Sequence, residues 1–263
     1  MQITEDEYDI KLKSIEEKLK EYFLTYDITN SKVALKIDHT FKTKFVNNQI
    51  ASSLGMQGRD LFLSNLIALL HDYARFEQIK KFDTFSDINS CDHGDLGAEL
   101  LIEKGHINNF VDDLTEEEKE LVRLAVKNHN KFKVEDNLTQ RQLLFCNIIR
   151  DADKVDIFRI GSNGSMPLNN NLSPLKEEDY KSFQEKVLKT RQKVETFYSS
   201  LFAHLCFIFD LNFKKSFEII SKNNYIRDFK YFIMLWSNFS IDPIVFDCFD
   251  EAISYVKQKA EEE

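Results

Sequence analysis

The sequence predicts an all-α protein. Its 263 residues include only seven glycines and three prolines, whereas strand-rich sandwiches and barrels use these residues in many turns. Apolar residues near the N-terminus recur at intervals of three or four, as on one face of a helix: Tyr8, Leu12, Ile15, Leu19 and Phe23. A hydrophobic fraction of 43% is too high for a disordered chain and is sufficient for a buried core.

The first part of the chain divides into helices at capping residues and glycines. Periodicity predicts helices over residues 5–26, 31–54, 59–73, 93–104, 115–129 and 139–159. Ser31 is a suitable N-cap, and Gly55 and Gly105 follow the second and fourth of these helices. A capping-box pattern opens the fifth helix at Thr115. The second helix has two apolar sides, so we expect it to be central and buried.

The segment from Gly161 to Pro174, GSNGSMPLNNNLSP, is the clearest interruption of the helical pattern. Beyond it, helices are predicted over residues 176–204, 211–222, 224–238 and 244–262. We therefore expect three parts. They are an N-terminal helix (1–30) packed on the core, a core (31–160), and a C-terminal helical extension (161–263) packed on the same domain.

Charge and cysteine content restrict the environment and the partners. A net charge of −9 and a pI near 5.3 argue against long nucleic acid as the main partner, because such binding normally needs a basic face. The four cysteines form no CxxC pair and are expected to be reduced. The N-terminus resembles no signal peptide, and no apolar run reaches the roughly 20 residues that span a bilayer. We expect a cytoplasmic protein without a membrane partner; the oligomeric state stays open, a homo-oligomer included.

Histidines beside polar residues mark the candidate chemistry. They are found in the pairs Asp38-His39, His71-Asp72, Asp92-His93 and Asn128-His129. A lone helical histidine is more often a hydrogen-bonded core or surface residue than a ligand. His71 and Asp72 differ, because they end the apolar run LFLSNLIALL, where two desolvated polar groups are costly unless they are paired. A divalent cation would pair with both, and a mutual hydrogen bond is the alternative.

A second acidic stretch lies downstream in RDADKVD. Its carboxylates are Asp151, Asp153 and Asp156. Asp151 and Asp153 point in nearly opposite directions on a helix, so only one of them can face a given site. Periodicity does not choose among the three, and composition alone favours a solvated helix face.

The order of His39, then His71-Asp72, then a distal aspartate resembles the HD-domain superfamily of metal-dependent phosphohydrolases, whose pattern H…HD…D gathers four ligands around one divalent metal. The last aspartate of the family typically precedes Lys or Arg, and this resemblance selects Asp153, in Ala152-Asp153-Lys154. The strings LLHDYARFEQ, DHGDLGAELL, VKNHNKF and IIRDADKVDIF look like those of stand-alone bacterial HD proteins over about residues 31–160. The implied fold is an HD-domain helical bundle with additional C-terminal helices.

The resemblance extends to His93 and His129, which match two extra histidines that complete a second metal site in many members. Multi-metal members often have a doubled histidine where this chain has Asn128-His129. No Gly-Tyr dipeptide is found, so the cyclic-dinucleotide branch is not supported. The implied cofactor is a divalent ion (Mn, Fe, Ni, Co, Zn or Mg) at one site, with a second site where His93 and His129 take part.

The implied reaction is hydrolysis of a phosphate ester or anhydride by metal-activated water. Asp72 is then a ligand and a candidate base, while Lys154 and Arg75 are expected to contact phosphate oxygens. The expected substrate is a small phosphorylated molecule, with nucleotides favoured. Two alternatives remain. One is a nucleotide-sensing module without turnover, motivated by the aromatic C-terminal part, and the other is a metal-dependent nuclease.

Overall fold

The computed structural model describes residues 4–189, 196–238 and 240–262, and every regular element among them is a helix. The predicted all-α class is therefore confirmed. In the first 162 residues the α-helices are α1 (Glu5–Phe23), α2 (Ser31–Ser53), α3 (Gly58–Leu70), α4 (Arg75–Phe82), α5 (His93–Ala98), α6 (Glu116–Asn128) and α7 (Gln140–Ser162). They are followed by α8 (Glu177–Gln184), α9 (Phe197–Leu205), α10 (Lys214–Lys222), α11 (Tyr225–Trp236) and α12 (Ile244–Glu261).

The chain forms two compact units, Met1–Asp153 and Lys154–Glu263. The division falls inside α7, before the Gly161–Pro174 segment that the sequence pattern marks as the interruption. A boundary inside a continuous helix lacks the glycine- and proline-rich residues that mark a linker, so it cannot be recognised from the local sequence. The boundaries at residues 30 and 160 stay predictions.

The first unit is built around α3, whose residues from Phe62 to Leu70 are all buried. The predicted apolar face of α1 packs against it, and all five of its apolar residues belong to the same buried cluster. The Thr115 capping box also forms as predicted, with Glu118 as its second member. Burial of these aliphatic and aromatic side chains is the main stabilising contribution in this unit.

Helix α2 differs from the prediction that both of its apolar sides are buried. Phe45 is 64% exposed. The buried side of α2 carries polar residues, among them His39, Thr43 and Asn47. Buried polar groups need partners, and Asn47 finds one in Ser64 of α3, 2.9 Å away. This side of α2 faces the polar site described below.

The predicted third helix, residues 59–73, ends instead at Leu70, and a separate helix α4 begins at Arg75. Between them the backbone N–H of Tyr73 donates to the Leu70 carbonyl, and that of Arg75 donates to the Asp72 carbonyl. Each of these hydrogen bonds joins residues three positions apart, as in a 3₁₀ turn, and the resulting tight turn places Asp72 between two helices. The predicted helix 93–104 is likewise α-helical only to Ala98 and continues as a π-helical turn, Glu99–Glu103.

The second unit contains α8 to α12, in which α10 packs on α12 and α8 on α9. The single helix predicted over 176–204 is wrong in part, because α8 ends at Gln184 and Thr196 caps a new helix, α9. Residues 190–195 of that prediction lie outside the described residues. Trp236 stacks on the buried Phe197, with ring centroids 4.9 Å apart. None of the helices in the described ranges is long and apolar enough to cross a membrane.

Candidate metal centre

The side chains predicted as metal ligands converge in the first unit, although they come from separate parts of the chain. They are His39, His71, Asp72, His93, His129 and Asp153. His39 lies within α2 and Asp153 within α7, while His71 and His129 directly follow the last residues of α3 and α6. His93 is the first residue of α5. Every one of these histidines is at most 2% exposed.

Asp72 lies at the centre and divides the donors into two groups. Its Oδ2 atom is 3.4 Å from His39 Nε2 and 3.5 Å from His71 Nε2. Its Oδ1 atom is 3.4 Å from His93 Nε2 and 3.6 Å from His129 Nε2. We call His39, His71 and Asp72 the first triad, and Asp72, His93 and His129 the second triad. One carboxylate thus serves both groups.

The acidic stretch of α7 contributes Asp153 to the first triad. Its Oδ1 atom is 3.0 Å from His39 Nε2 and 3.9 Å from His71 Nε2. Asp151 is fully buried, and Asp156 pairs with Arg159 at 2.5 Å. Of the three aspartates that periodicity leaves open, Asp153 is the one that we assign to the first triad, because it contacts both of its imidazoles.

The hydrogen bonds of the imidazoles orient their free lone pairs into the site. Nδ1 of His71 lies 2.7 Å from the Ala68 carbonyl, and Nδ1 of His129 lies 2.6 Å from the Val126 carbonyl. A carbonyl only accepts, so each ring carries a proton on Nδ1, and in the neutral ring Nε2 keeps the lone pair that a metal ligand needs. His39 Nδ1 lies 3.3 Å from the Thr43 hydroxyl.

His93 has a carboxylate partner. Its Nδ1 atom lies 2.9 and 2.8 Å from the two oxygens of Asp87, in the loop between α4 and α5. His93 Nε2 then faces His129 Nε2 at 3.0 Å. Two lone pairs at this distance repel unless a cation lies between them. Sequence reasoning missed Asp87, because a single aspartate in the polar loop FDTFSDINSCDHGD has no distinguishing spacing.

Charge and burial set the protonation states that a metal requires. Burial lowers the pKa of His71, and it lowers the pKa of His93 to about 3. Burial by itself raises the pKa of Asp72, but the ammonium of Lys36 and the ring of His71 hold it well below its usual range. Burial likewise raises the pKa of Asp153, but the hydrogen bond to His39 together with the neighbouring His39 and His71 rings lowers it overall. At neutral pH His71 and His93 are thus neutral and both aspartates are ionised, as metal ligands must be.

The donor spacing fits a bound metal ion. Two nitrogen ligands about 2.1 Å from one ion lie roughly 3.0–3.4 Å apart at octahedral or tetrahedral angles. The Nε2 atoms are 3.4 Å apart in the first triad and 3.0 Å apart in the second. Imidazole and carboxylate together suit Mn, Fe, Co, Ni and Zn. The residues present therefore fit a divalent metal at either triad.

Lys36 is a further site residue that sequence reasoning missed. Its ammonium lies 2.5 Å from Asp72 Oδ2, and its side chain is 14% exposed. Its position three residues before His39 on α2, which puts both on one side of the helix, is the signal that could have identified it. Lys36 partly balances the negative charge that Asp72 brings to the site.

The residues predicted to contact phosphate are already engaged. Arg75 Nη1 donates to the Phe85 carbonyl at 2.8 Å and to Asp87 at 3.0 Å, and Arg75 Nε is 3.6 Å from Asp72 Oδ1. In the second unit, the Lys154 ammonium lies 2.9 Å from the carboxylate of Asp210. Contact of Arg75 and Lys154 with phosphate stays a prediction.

One of the comparisons with known proteins gives a match. A family model described as HD domain matches residues 37–157, a range that contains all of the predicted ligands. Comparison with curated proteins and with solved structures gives no significant match. The family evidence therefore comes from the region that builds the two triads.

Proposed function

Because residues 37–157 of this chain belong to the HD-domain family, we propose that the protein is a metal-dependent phosphohydrolase acting on a nucleotide or a related small phosphate ester or anhydride. The observation that carries this proposal is the placement of Asp72. Its two oxygens each face a pair of imidazole Nε2 atoms. We propose two metal sites, with Asp153 added to the first triad.

A divalent ion at such a site lowers the pKa of a bound water and polarises a phosphoryl oxygen. The role of the protein's own residues is to bind and orient the ion. Asp72 supplies an oxygen to each triad, which supports its role as a ligand, and its role as a base stays a prediction. Lys36 offsets the charge of Asp72.

The net charge of the chain and the surroundings of Asp72 support a proposal for the substrate class. The chain has a net charge of −9, and the ammonium of Lys36 lies beside Asp72 Oδ2. A small substrate whose phosphate charge is masked by bound ions is compatible with this negative net charge. Long nucleic acid, in contrast, needs an extended basic surface. We therefore propose a small phosphorylated substrate, with nucleotides as the favoured class.

The test combines elemental analysis of the purified protein with a screen of nucleotides and phosphodiesters in Mn²⁺, Co²⁺ and Ni²⁺. We expect bound transition metal and metal-dependent release of phosphate or nucleotide. His39→Ala should lose both, and the control His106→Ala should keep both, because His106 contacts Tyr73 rather than either triad.

Other results would change the assignment. Absence of metal and of hydrolysis with every cation would contradict the proposal. Nucleotide binding in a thermal-shift assay without product over hours would favour the sensing module. Cleavage of single-stranded DNA or RNA in preference to nucleotides would favour a nuclease.

A further inference from the structure

We infer that Asp87 is a positioning residue that fixes the tautomer and orientation of His93 and thereby sets the metal affinity of the second triad. This inference rests on the proposed function, since it assumes that the triads bind metal. It begins from the two short contacts, 2.8 and 2.9 Å, between the Asp87 carboxylate and His93 Nδ1. Within the described residues, the carboxylate of Asp87 bonds to neither His129 nor Asp72, so Asp87 acts through His93.

The position of His93 in its helix explains why a side chain is needed there. His71 and His129 follow the ends of helices, so each finds a backbone carbonyl three residues earlier in its own helix. His93 begins α5 and is preceded by an irregular loop, so no preceding helical turn offers a carbonyl. Asp87, six residues earlier, supplies the acceptor instead.

The acceptor of the His93 Nδ1 proton is a carboxylate, whereas those of His71 and His129 are backbone carbonyls. A carboxylate holds the proton on Nδ1 and makes the opposite nitrogen of the ring a stronger donor to a metal. That nitrogen, His93 Nε2, lies 3.4 Å from Asp72 Oδ1 and 3.0 Å from His129 Nε2. The bond to Asp87 therefore directs an electron-rich nitrogen into the second triad.

Three further donors hold Asp87 in place. Its Oδ1 atom accepts from Arg75 Nη1 at 3.0 Å and from Gln78 Nε2 at 2.9 Å, and its Oδ2 atom accepts from Asn130 Nδ2 at 3.2 Å. Gln78 is fully buried and Arg75 is 7% exposed, so these donors are themselves fixed. A carboxylate with this many partners has little freedom to turn away from His93.

The experiment titrates the metal-free full chain with Mn²⁺ by calorimetry and records the visible spectrum of the Co²⁺ form. In Asp87→Asn, the amide can donate to Nδ1, which favours the proton on Nε2. We expect the second binding event to weaken about 10- to 100-fold. The first event should be unchanged, and the Co²⁺ bands of the second site should be altered. Asp87→Glu keeps the carboxylate and should restore part of the affinity.

The matched control is Asp92→Asn. Asp92 directly precedes His93 and caps α5 through the N–H groups of Gly94 and Asp95, and asparagine caps a helix equally well. This variant loses the ion pair with Lys131, keeps an oxygen that can accept from Asn130 Nδ2, and retains the Asp87 carboxylate as the partner of His93 Nδ1. It should bind both ions as the wild type does.

The outcomes separate this inference from the proposed function. If the wild type binds two ions and Asp87→Asn binds both with unchanged affinity, Asp87 is not a positioning residue and the proposed function still stands. A wild type that binds one ion, unaffected by Asp87→Asn, overturns the inference in the same way. A wild type that binds no ion overturns both.

A second measurement covers the case in which Asp87→Asn fails to fold. The ¹⁵N shifts of the His93 ring in the metal-free wild type report which nitrogen carries the proton. We expect protonated Nδ1 and unprotonated Nε2. A proton on Nε2 would overturn the inference without any variant.

Discussion

Two aspartates of α7 lie two residues apart in the chain and have different surroundings. Asp153 approaches His39 Nε2 at 3.0 Å, and its side chain is 15% exposed. Asp151 is fully buried. The contact with His39 distinguishes Asp153 as the ligand candidate, because the oxygen of a ligand must lie beside the donor atoms of the other ligands.

We therefore predict that Asp153→Ala loses metal from the first triad, because His39, His71 and Asp72 are left as an incomplete set. Asp151→Asn, which keeps the shape of the buried side chain, should retain the metal content of the wild type. Metal stoichiometry of both purified variants tests this. Loss of metal in Asp151→Asn together with retention in Asp153→Ala would show that the ligand of α7 is wrongly assigned.

At the scale of elements, the second triad depends on close packing between α5 and α6. A Cβ atom added at Gly94 would lie 2.8 Å from the Lys127 carbonyl oxygen and 2.4 Å from Asn130 Oδ1. The backbone atom cannot give way as a flexible side chain can. Gly94 therefore sets the distance between the helices that carry His93 and His129.

We predict that Gly94→Ala separates these helices, costs about 2 kcal/mol or more of unfolding free energy, and weakens the second metal-binding event. The control is Gly55→Ala, where a Cβ meets nothing within 4 Å and only the positive φ of 78° is unfavourable. It should cost about 1 kcal/mol and leave metal binding intact. Equal metal titrations for wild type and Gly94→Ala would contradict this account.

The start of α6 is tied to α3 by an ion pair between Glu118 and Arg59. Arg59 Nε and Nη2 lie 2.7 and 2.9 Å from the two carboxylate oxygens. This hydrogen bonding lowers the pKa of Glu118 from 4.5 to about 2. Because the pKa is lower in the folded state, the pair stabilises the fold fully above pH 4.5. That contribution is lost as the pH falls toward 2.

We predict that Glu118→Gln lowers the free energy of unfolding at pH 7 by about 1–2 kcal/mol, since glutamine keeps the capping box with Thr115 but loses the charge. The difference from the wild type should shrink between pH 4.5 and pH 2. Chemical denaturation over this range measures it, with Glu116→Gln as a control, because Glu116 pairs with Lys119 at the exposed surface. A difference that stays constant with pH would contradict the assignment.

At the scale of the whole molecule, the two triads and Asp153 bring four buried imidazoles together with two ionised carboxylates. A metal that binds only the native state stabilises it by about 2.7 kcal/mol at a hundredfold excess over its Kd. We predict that a chelator lowers the unfolding temperature by roughly 5–10 °C and that Mn²⁺ restores it. Calorimetric scans of the chelated and reloaded protein measure the shift.

The matched variants are His71→Ala and His106→Ala. His71 belongs to the first triad, so its loss should abolish most of the shift between chelated and loaded protein. His106 pairs with Tyr73 outside both triads, so the shift should remain. An unfolding temperature of the wild type that does not respond to metal would argue against resident ions.

The sequence by itself determined the all-α class, the HD-family resemblance and the candidate ligands, because helical periodicity, caps and an ordered motif are local features of the chain. The turn at His71-Asp72, the exposure of Phe45 and the break between α8 and α9 depend on tertiary packing, which overrides local propensity. Only the fold shows which oxygen of Asp72 faces which imidazole. It also shows that Asp87 is the partner of His93. Apart from the contact between the adjacent His71 and Asp72, these contacts join residues between 6 and 57 positions apart, and no local pattern encodes such distances.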